Sequence, residues 1–180
     1  INIPPRHMKS TITSVMFPAW CWQKQPNLHF LCASYSQSLA TRDSVKCRDI
    51  VTSEWYRKEF GISWHLSEDQ NSKNRYKNTE TGERIATSVG GLGTGEGADI
   101  LLVDDAHNAT DIRSESEMKR VREWWDQSMS TRGNDAKTYR RVISGQRLAE
   151  DDLPGHVIAK GGAEALILPA EFELKRRSRT

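Results

Sequence analysis

Hydrophobic positions along the chain follow two rhythms that alternate: short unbroken apolar runs, and sets that recur every three or four residues. Residues 1–3 read as the tail of a strand, and a tight loop follows over 4–8. Residues 9–22 place Ile12, Val15, Met16 and Ala19 on one helical face, with Pro18 as the expected kink. Residues 28–33 form an apolar run suited to a buried strand, and 36–52 read as a helix whose core contacts are Leu39, Val45, Ile50 and Val51. The polar stretch 67–81 reads as a loop, and 84–89 as a strand that leads into the glycine cluster 90–97. Residues 100–103 are the most hydrophobic run of the chain. Ser114 followed by Glu117 makes a capping box, opening a helix to about residue 132 with Met118, Val121, Trp125 and Met129 along one side. Of the pair Trp124 and Trp125, only one is expected to face the core. Residues 138–144 read as a strand, 151–160 as a short helix or turn, and 165–168 as a last strand closed by Pro169. Strands alternating with helices imply a largely parallel sheet flanked by helices, with one domain over 1–168 and a linker beginning at 169–180.

Composition narrows the class without naming a function. The 180 residues are 28% charged and 36% hydrophobic, enough apolar content for one folded domain, and the formal charge of +2 neither demands nor opposes a nucleic-acid partner. Cys21, Cys32 and Cys47 have no Cys-x-x-Cys spacing, which reads as free thiols in a reducing interior, and the five histidines show no zinc spacing with them. No apolar stretch is long enough to span a bilayer and no signal peptide opens the chain, so neither secretion nor a membrane is expected. The first residues lack an initiator Met and the last enter a basic segment, so both ends read as cuts.

Two segments carry candidate chemistry. A phosphate cradle needs a strand, a tight loop with inward N–H groups, a Lys for the β- and γ-phosphates, and a hydroxyl for Mg²⁺. The order Ile3, Pro4, Pro5, Arg6, His7, Met8, Lys9, Ser10, Thr11 supplies these parts, although Ile3 and Met8 stand where the usual pattern has glycine. Its bland alternative is a proline-initiated helix with a surface lysine. The second segment is the apolar strand 100–103 ending in Asp104 and Asp105, one carboxylate suited to a metal shell and the next to orienting water.

Taken together, these segments resemble the ATPase domain of tailed-bacteriophage terminase large subunits. Further matches follow in the same order: Ala33 to Leu39, Gly95 to Asn108, the Trp124-Trp125 helix ending in Ser130-Thr131-Arg132, and Gln146 to His156. The resemblance covers nearly the whole chain. It implies a three-layer P-loop NTPase fold with a mainly parallel central sheet and a Mg²⁺-dependent ATPase. In that reading Pro5, Arg6, His7, Met8, Lys9, Ser10 and Thr11 cradle the phosphates, with Lys9 on the β/γ-phosphates and Arg6 near the γ-phosphate. Ser10 and Asp104 hold Mg²⁺, and Asp105 activates the lytic water, at a position where many family members carry Glu. Ser144-Gly145-Gln146 occupies the place of the coupling motif, with Gln146 sensing the γ-phosphate. The implied partners are double-stranded DNA, a portal protein, a small terminase subunit and further copies in a homo-oligomeric ring, in the host cell cytoplasm. The family's nuclease domain is not contained in these residues.

Other readings stay open. Val103-Asp104-Asp105-Ala106-His107 also fits the acidic box of helicase-type ATPases, and a noncatalytic DNA- or capsid-binding module with a degenerate loop is the alternative of another class. The glycine cluster reads as a turn or a DNA-contacting loop, and Lys73, Arg75, Tyr76 and Lys77 as a solvated turn or a DNA-tracking loop. Glu96 stands where some relatives place an arginine, which leaves Arg132 and Arg147 as candidates for a trans-acting arginine.

Overall fold

The apolar runs become the centre of a single mixed sheet. In the computed structural model, which describes residues 1–91, 95–169 and 171, strands β1 (His29–Ser34), β4 (Glu83–Ser88), β5 (Ile100–Asp104) and β6 (Arg140–Ser144) run parallel. Strands β2 (Leu66–Asn71) and β3 (Arg75–Asn78) extend the sheet antiparallel beyond β4, giving the order β2-β3-β4-β1-β5-β6. Alternate residues of the central strands feed two cores. Phe30, Cys32, Ile100 and Leu102 pack on one face with Trp22, Cys47, Val51 and Tyr56. Leu31, Ala33, Leu101 and Val103 pack on the other with Val121, Trp124, Trp125, Met129 and Leu153. A strand buried on both faces has no reason to alternate, and β1 and β5 accordingly read as unbroken apolar runs. The result is an α/β architecture with helices on both sides of a mostly parallel sheet.

Residues 1–3 and 165–168, both expected as strands, meet as single bridges instead. Asn2 bridges Gly145 on one side and Ile167 on the other, both in parallel sense. Its N–H donates to the Leu166 carbonyl at 2.7 Å, and the Leu168 N–H donates to the Asn2 carbonyl at 2.8 Å. This seats the loop after residue 3 beside the end of β6.

Several sequence expectations need correction. Residues 67–81 are not a loop: they form the β2–β3 hairpin, with Tyr76 fully buried. An edge pair solvated along most of its length needs few apolar residues, so its sequence looks like a loop. Helix α3 (Glu54–Glu59) is also new. It is capped by Ser53, whose hydroxyl accepts from the Tyr56 N–H at 3.2 Å. On helix α2 (Gln37–Thr52), the buried stripe is Ala40, Asp43, Ser44, Cys47 and Val51, with Leu39, Val45 and Ile50 on its flanks. Small residues let this helix approach the sheet closely. Trp124 and Trp125 are both buried on α4 (Glu115–Gln127). Neighbouring helical residues stand about 100° apart, so both fit within a wide apolar stripe that also takes Met118 and Val121. Ser114 caps α4 by accepting from the Glu117 N–H, but the Glu117 carboxylate turns to Arg120 at 2.9 Å and does not close the reciprocal half of the box.

The first helix departs most from its pattern. A π-helical turn (Thr11–Met16) leads into α1 (Phe17–Lys24), so the wider winding turns Ile12 and Met16 outward, both more than half exposed, while Thr13, Ser14, Val15 and Ala19 are buried. Pro18 has no N–H to offer the Ser14 carbonyl one turn back. That carbonyl instead accepts from Nη2 of Arg84 at 2.8 Å, a guanidinium fully buried on β4 between Phe30 and Tyr76 on the adjacent strands. Among the described residues Arg84 is the one side-chain donor to this carbonyl, and Arg84→Ala also opens a void in the core. Because Nε and Nη1 of the buried guanidinium have no partner, the loss of unfolding free energy in a urea titration is expected to stay below the ~3 kcal/mol of a comparable apolar truncation.

All three cysteines are free and buried, and burial pushes the thiols of Cys21 and Cys32 up to about 11. Among the described residues no helix is long and apolar enough to cross a membrane. The basic segment at 175–179 and residues 92–94 of the glycine cluster lie outside the described residues.

Candidate functional site

The parallel strands end together. Ser34 of β1, Asp104 of β5 and Ser144 of β6 are in register, all at the carboxyl edge of the sheet and all buried. In open α/β sheets this edge is where ligands bind, because the loops leaving the strands diverge there and expose backbone polar groups. The bridge through Asn2 brings residues 4–9 to the same edge.

Backbone conformation in this region is unusual. Four non-glycine residues have positive φ among the described residues, and three of them are here: Arg6 at 66°, Met8 at 59° and Asp105 at 45°. Such conformations cost about 1–3 kcal/mol each and persist where the surroundings enforce them. Met8 stands at a position where the usual phosphate loop has glycine, and its backbone adopts the left-handed conformation that favours glycine. Arg6, His7 and Met8 are exposed, and no hydrogen bond of normal geometry links their N–H groups to other described residues. The helix that follows leaves its own first-turn N–H groups without intrahelical partners, and its dipole adds positive potential there.

One side-chain ion pair joins this loop to the end of β5. The Lys9 ammonium pairs with the Asp105 carboxylate, with side-chain exposures of 11% and 26%. Ser10, next in the chain, lies close enough to lower the pKa of the Asp104 carboxyl, with no hydrogen bond of normal geometry between them. Burial pushes the Asp104 carboxyl above its ordinary range; Ser10 and Lys9 oppose that shift, and Asp105 and Asp43 reinforce it. Its Oδ1 is buried without a hydrogen-bond partner among the described residues, as is the Ser144 hydroxyl across the strand pair. Asp105 is held from both sides: its N–H donates to the Ser144 carbonyl at 2.8 Å and its carbonyl accepts from Tyr35 at 2.9 Å.

The other residues singled out in the sequence distribute unevenly. Pro5, Arg6 and His7 form the exposed crest of the loop, where His7 Nδ1 approaches the Pro5 carbonyl at 2.9 Å. Thr11 is half-buried at the start of the π turn, and Gln146 is half-buried just beyond Gly145, whose Cα faces Asp105. Ser34, to which spacing assigned no role, adds a buried hydroxyl in register with Asp104 and Ser144 at the same strand ends. Its signal is weak in the sequence, a hydroxyl at the end of an apolar run.

The DNA-tracking reading of the β2–β3 hairpin loses its chemistry. Tyr76 is in the core, Arg75 pairs with Glu83 at 2.6 Å and Glu96 at 2.8 Å, and Lys77 reaches Glu83 at 3.7 Å. Arg147 is likewise committed internally, to Asp152 at 2.9 Å and to the Ala149 and Glu150 carbonyls. That weakens its candidacy as an arginine offered to another molecule.

Taken as donors, the residues at this edge fit a Mg²⁺ ion that arrives with a phosphate ligand. Mg²⁺ takes oxygen ligands and keeps several waters, with one or two carboxylates and substrate phosphates completing its shell. Asp104 offers an unpartnered buried oxygen and Ser10 a hydroxyl. Among the described residues no three His, Cys, Asp or Glu side chains cluster to hold a metal by themselves. No protein-family model matches the chain, and no curated protein matches it.

Proposed function

We propose that the chain is a Mg²⁺-dependent ATPase domain of the kind found in terminase large subunits, a motor that drives double-stranded DNA into a procapsid. The observation that carries this reading is the meeting of Lys9 and Ser10, from the first helix, with Asp105 and Asp104, from the end of β5. The seating of residues 1–3 beside Gly145, with β6 between them and the acidic strand, also suits a P-loop NTPase sheet. The missing glycine at Met8 does not count against it, since Met8 takes up the left-handed backbone without it.

In this reading the loop N–H groups and the helix dipole hold the phosphates. The Lys9 ammonium leaves Asp105 for the β- and γ-phosphates, where it offsets the charge that develops as the γ-phosphoryl group is transferred. Asp105, relieved of its partner, orients a water and takes its proton as the water oxygen bonds to the γ-phosphorus. The bond from that phosphorus to the bridging oxygen breaks, releasing ADP. Ser10 and Asp104 would hold Mg²⁺, which supplies neutralisation of phosphate charge when bound. Arg6, at the exposed crest, approaches the γ-phosphate, and Gln146 and Ser144 border it from β6. The partners follow from the resemblance: duplex DNA, a portal protein, a small terminase subunit and other copies of the chain in a ring.

Phosphate release from ATP by the purified chain is expected only with Mg²⁺ and is expected to rise when duplex DNA is added. Mg²⁺-ATP binding without any release, with or without DNA, would instead make the chain a noncatalytic module. Strand separation in place of duplex translocation would favour the helicase alternative.

A further inference from the structure

The strained backbone at Asp105 is followed at once by a second anchor. Two residues on, Nε2 of His107 accepts a hydrogen bond from the Leu153 N–H at 2.9 Å. Leu153 opens α5 (Leu153–Lys160), and its N–H is one of the first-turn donors that the helix cannot satisfy internally. The capping residue Asp152 is already occupied: its carboxylate accepts from Gly155, Leu148 and Ala149 N–H groups and pairs with Arg147. The imidazole is therefore the cap for the one remaining donor that faces the Asp105 loop. To accept at Nε2 the ring must be neutral with its proton on Nδ1.

The surroundings favour that form. His107 is half-buried and its burial lowers its pKa, as do Arg122 and Arg120 of α4, while Asp152 and Asp151 act in the opposite sense. A protonated ring would lose the bond to Leu153 and place a cation at the positive end of α5. Leu153 itself has no exposed surface and packs in the same core as Val103 and Ala106. The Asp105 loop and α5 are thus joined by both a hydrogen bond and packing.

We propose that His107 is a positioning residue that latches the Asp105 loop to the first turn of α5, holding Asp105 in its left-handed conformation and moving α5 with it. This rests on the ATPase reading for its functional consequence, though not for the latch itself. The test uses the full chain and the variants His107→Ala and His107→Gln, the second because its amide oxygen can stand in for Nε2. ATP turnover is followed over a range of pH, and hydrogen exchange of the Leu153 amide is followed by nuclear magnetic resonance.

His107→Ala is expected to lower kcat about tenfold with KM little changed, the scale of one lost positioning hydrogen bond. His107→Gln is expected to recover most of that rate and to lack an acid limb that the wild-type profile shows. Exchange at Leu153 is expected to quicken in the alanine variant and not in the glutamine variant. Equal kcat in all three proteins, or a pH profile for His107→Gln identical to wild type, overturns the positioning role, and unchanged Leu153 exchange in the alanine variant overturns the latch. If the alanine variant does not fold, the glutamine pH profile decides. If the wild-type chain hydrolyses no ATP, the function proposed above fails, while His107 tautomer and Leu153 exchange still test the latch.

Discussion

If the proposed ATPase site holds, Lys9→Ala is expected to reduce ATP turnover by about a thousandfold or more, because among the described residues its ammonium is the one cation paired with Asp105 beside the loop proposed to hold phosphate. In the unliganded protein this same group neutralises Asp105, so its loss also unpairs a carboxylate. That second effect is small. Asp105 keeps about a quarter of its side-chain surface in solvent, and partly exposed pairs contribute about 1 kcal/mol or less. Turnover should therefore collapse while the thermal midpoint hardly moves. Lys9→Arg is expected to be nearly as inactive, since a planar forked guanidinium does not substitute for a compact ammonium in a tight loop. Unchanged turnover in Lys9→Ala would remove the site assignment altogether.

Asp104→Asn is expected to lower turnover by roughly a hundredfold or more, by the scale at which single charge-stabilising groups act in such sites, and at the same time to raise stability at neutral pH. The second half follows from burial. A carboxyl whose pKa is raised on folding holds its proton more tightly in the native state than in the unfolded chain. Stability therefore falls as pH rises from the unfolded value of 3.8 through the raised one, and the cost of the buried charge is fully present above it. The neutral amide removes that cost. Its advantage in thermal midpoint should be largest near neutrality and should shrink as pH falls toward the ordinary carboxylate range. A lower midpoint for Asp104→Asn at neutral pH would contradict the burial argument, and full turnover would contradict the metal role.

This trade, a destabilising group kept at the site, is repeated in the backbone. Arg6, Met8 and Asp105 all adopt positive φ without being glycine, and all three lie where the loop and the acidic strand meet. Local propensity argues against each one. Tertiary contacts impose them, through the Ser144 carbonyl and Tyr35 N–H at Asp105 and through the seating of Asn2 between Gly145 and Ile167. A sequence pattern that demands glycine at the position of Met8 overlooks the loop for that reason.

How much was legible depended on the kind of signal. Strands β1 and β5, the helix begun by Ser114 and the Lys9-Ser10 and Asp104-Asp105 pairs could be read directly, since apolar runs, caps and acidic strand ends are local in the chain. The β2–β3 hairpin could not, because its strands are stabilised by edge pairing and by one buried tyrosine, and their composition is that of a solvated turn. The buried face of the first helix was legible only in half, at Val15 and Ala19 and not at Ile12 and Met16. A π turn and a proline shift its winding, and the Ser14 carbonyl so affected is answered by Arg84, far away in the chain.

By itself the sequence determined the α/β alternation, the positions of the central strands and the identity of the four side chains that converge, because each depends on neighbours in the chain. Only the tertiary structure decided that Lys9 faces Asp105, that Tyr76 and both neighbouring tryptophans are buried, and that His107 caps α5. Those facts depend on which surfaces meet, and a free energy of contact between segments distant in the chain leaves no period or spacing from which to read it.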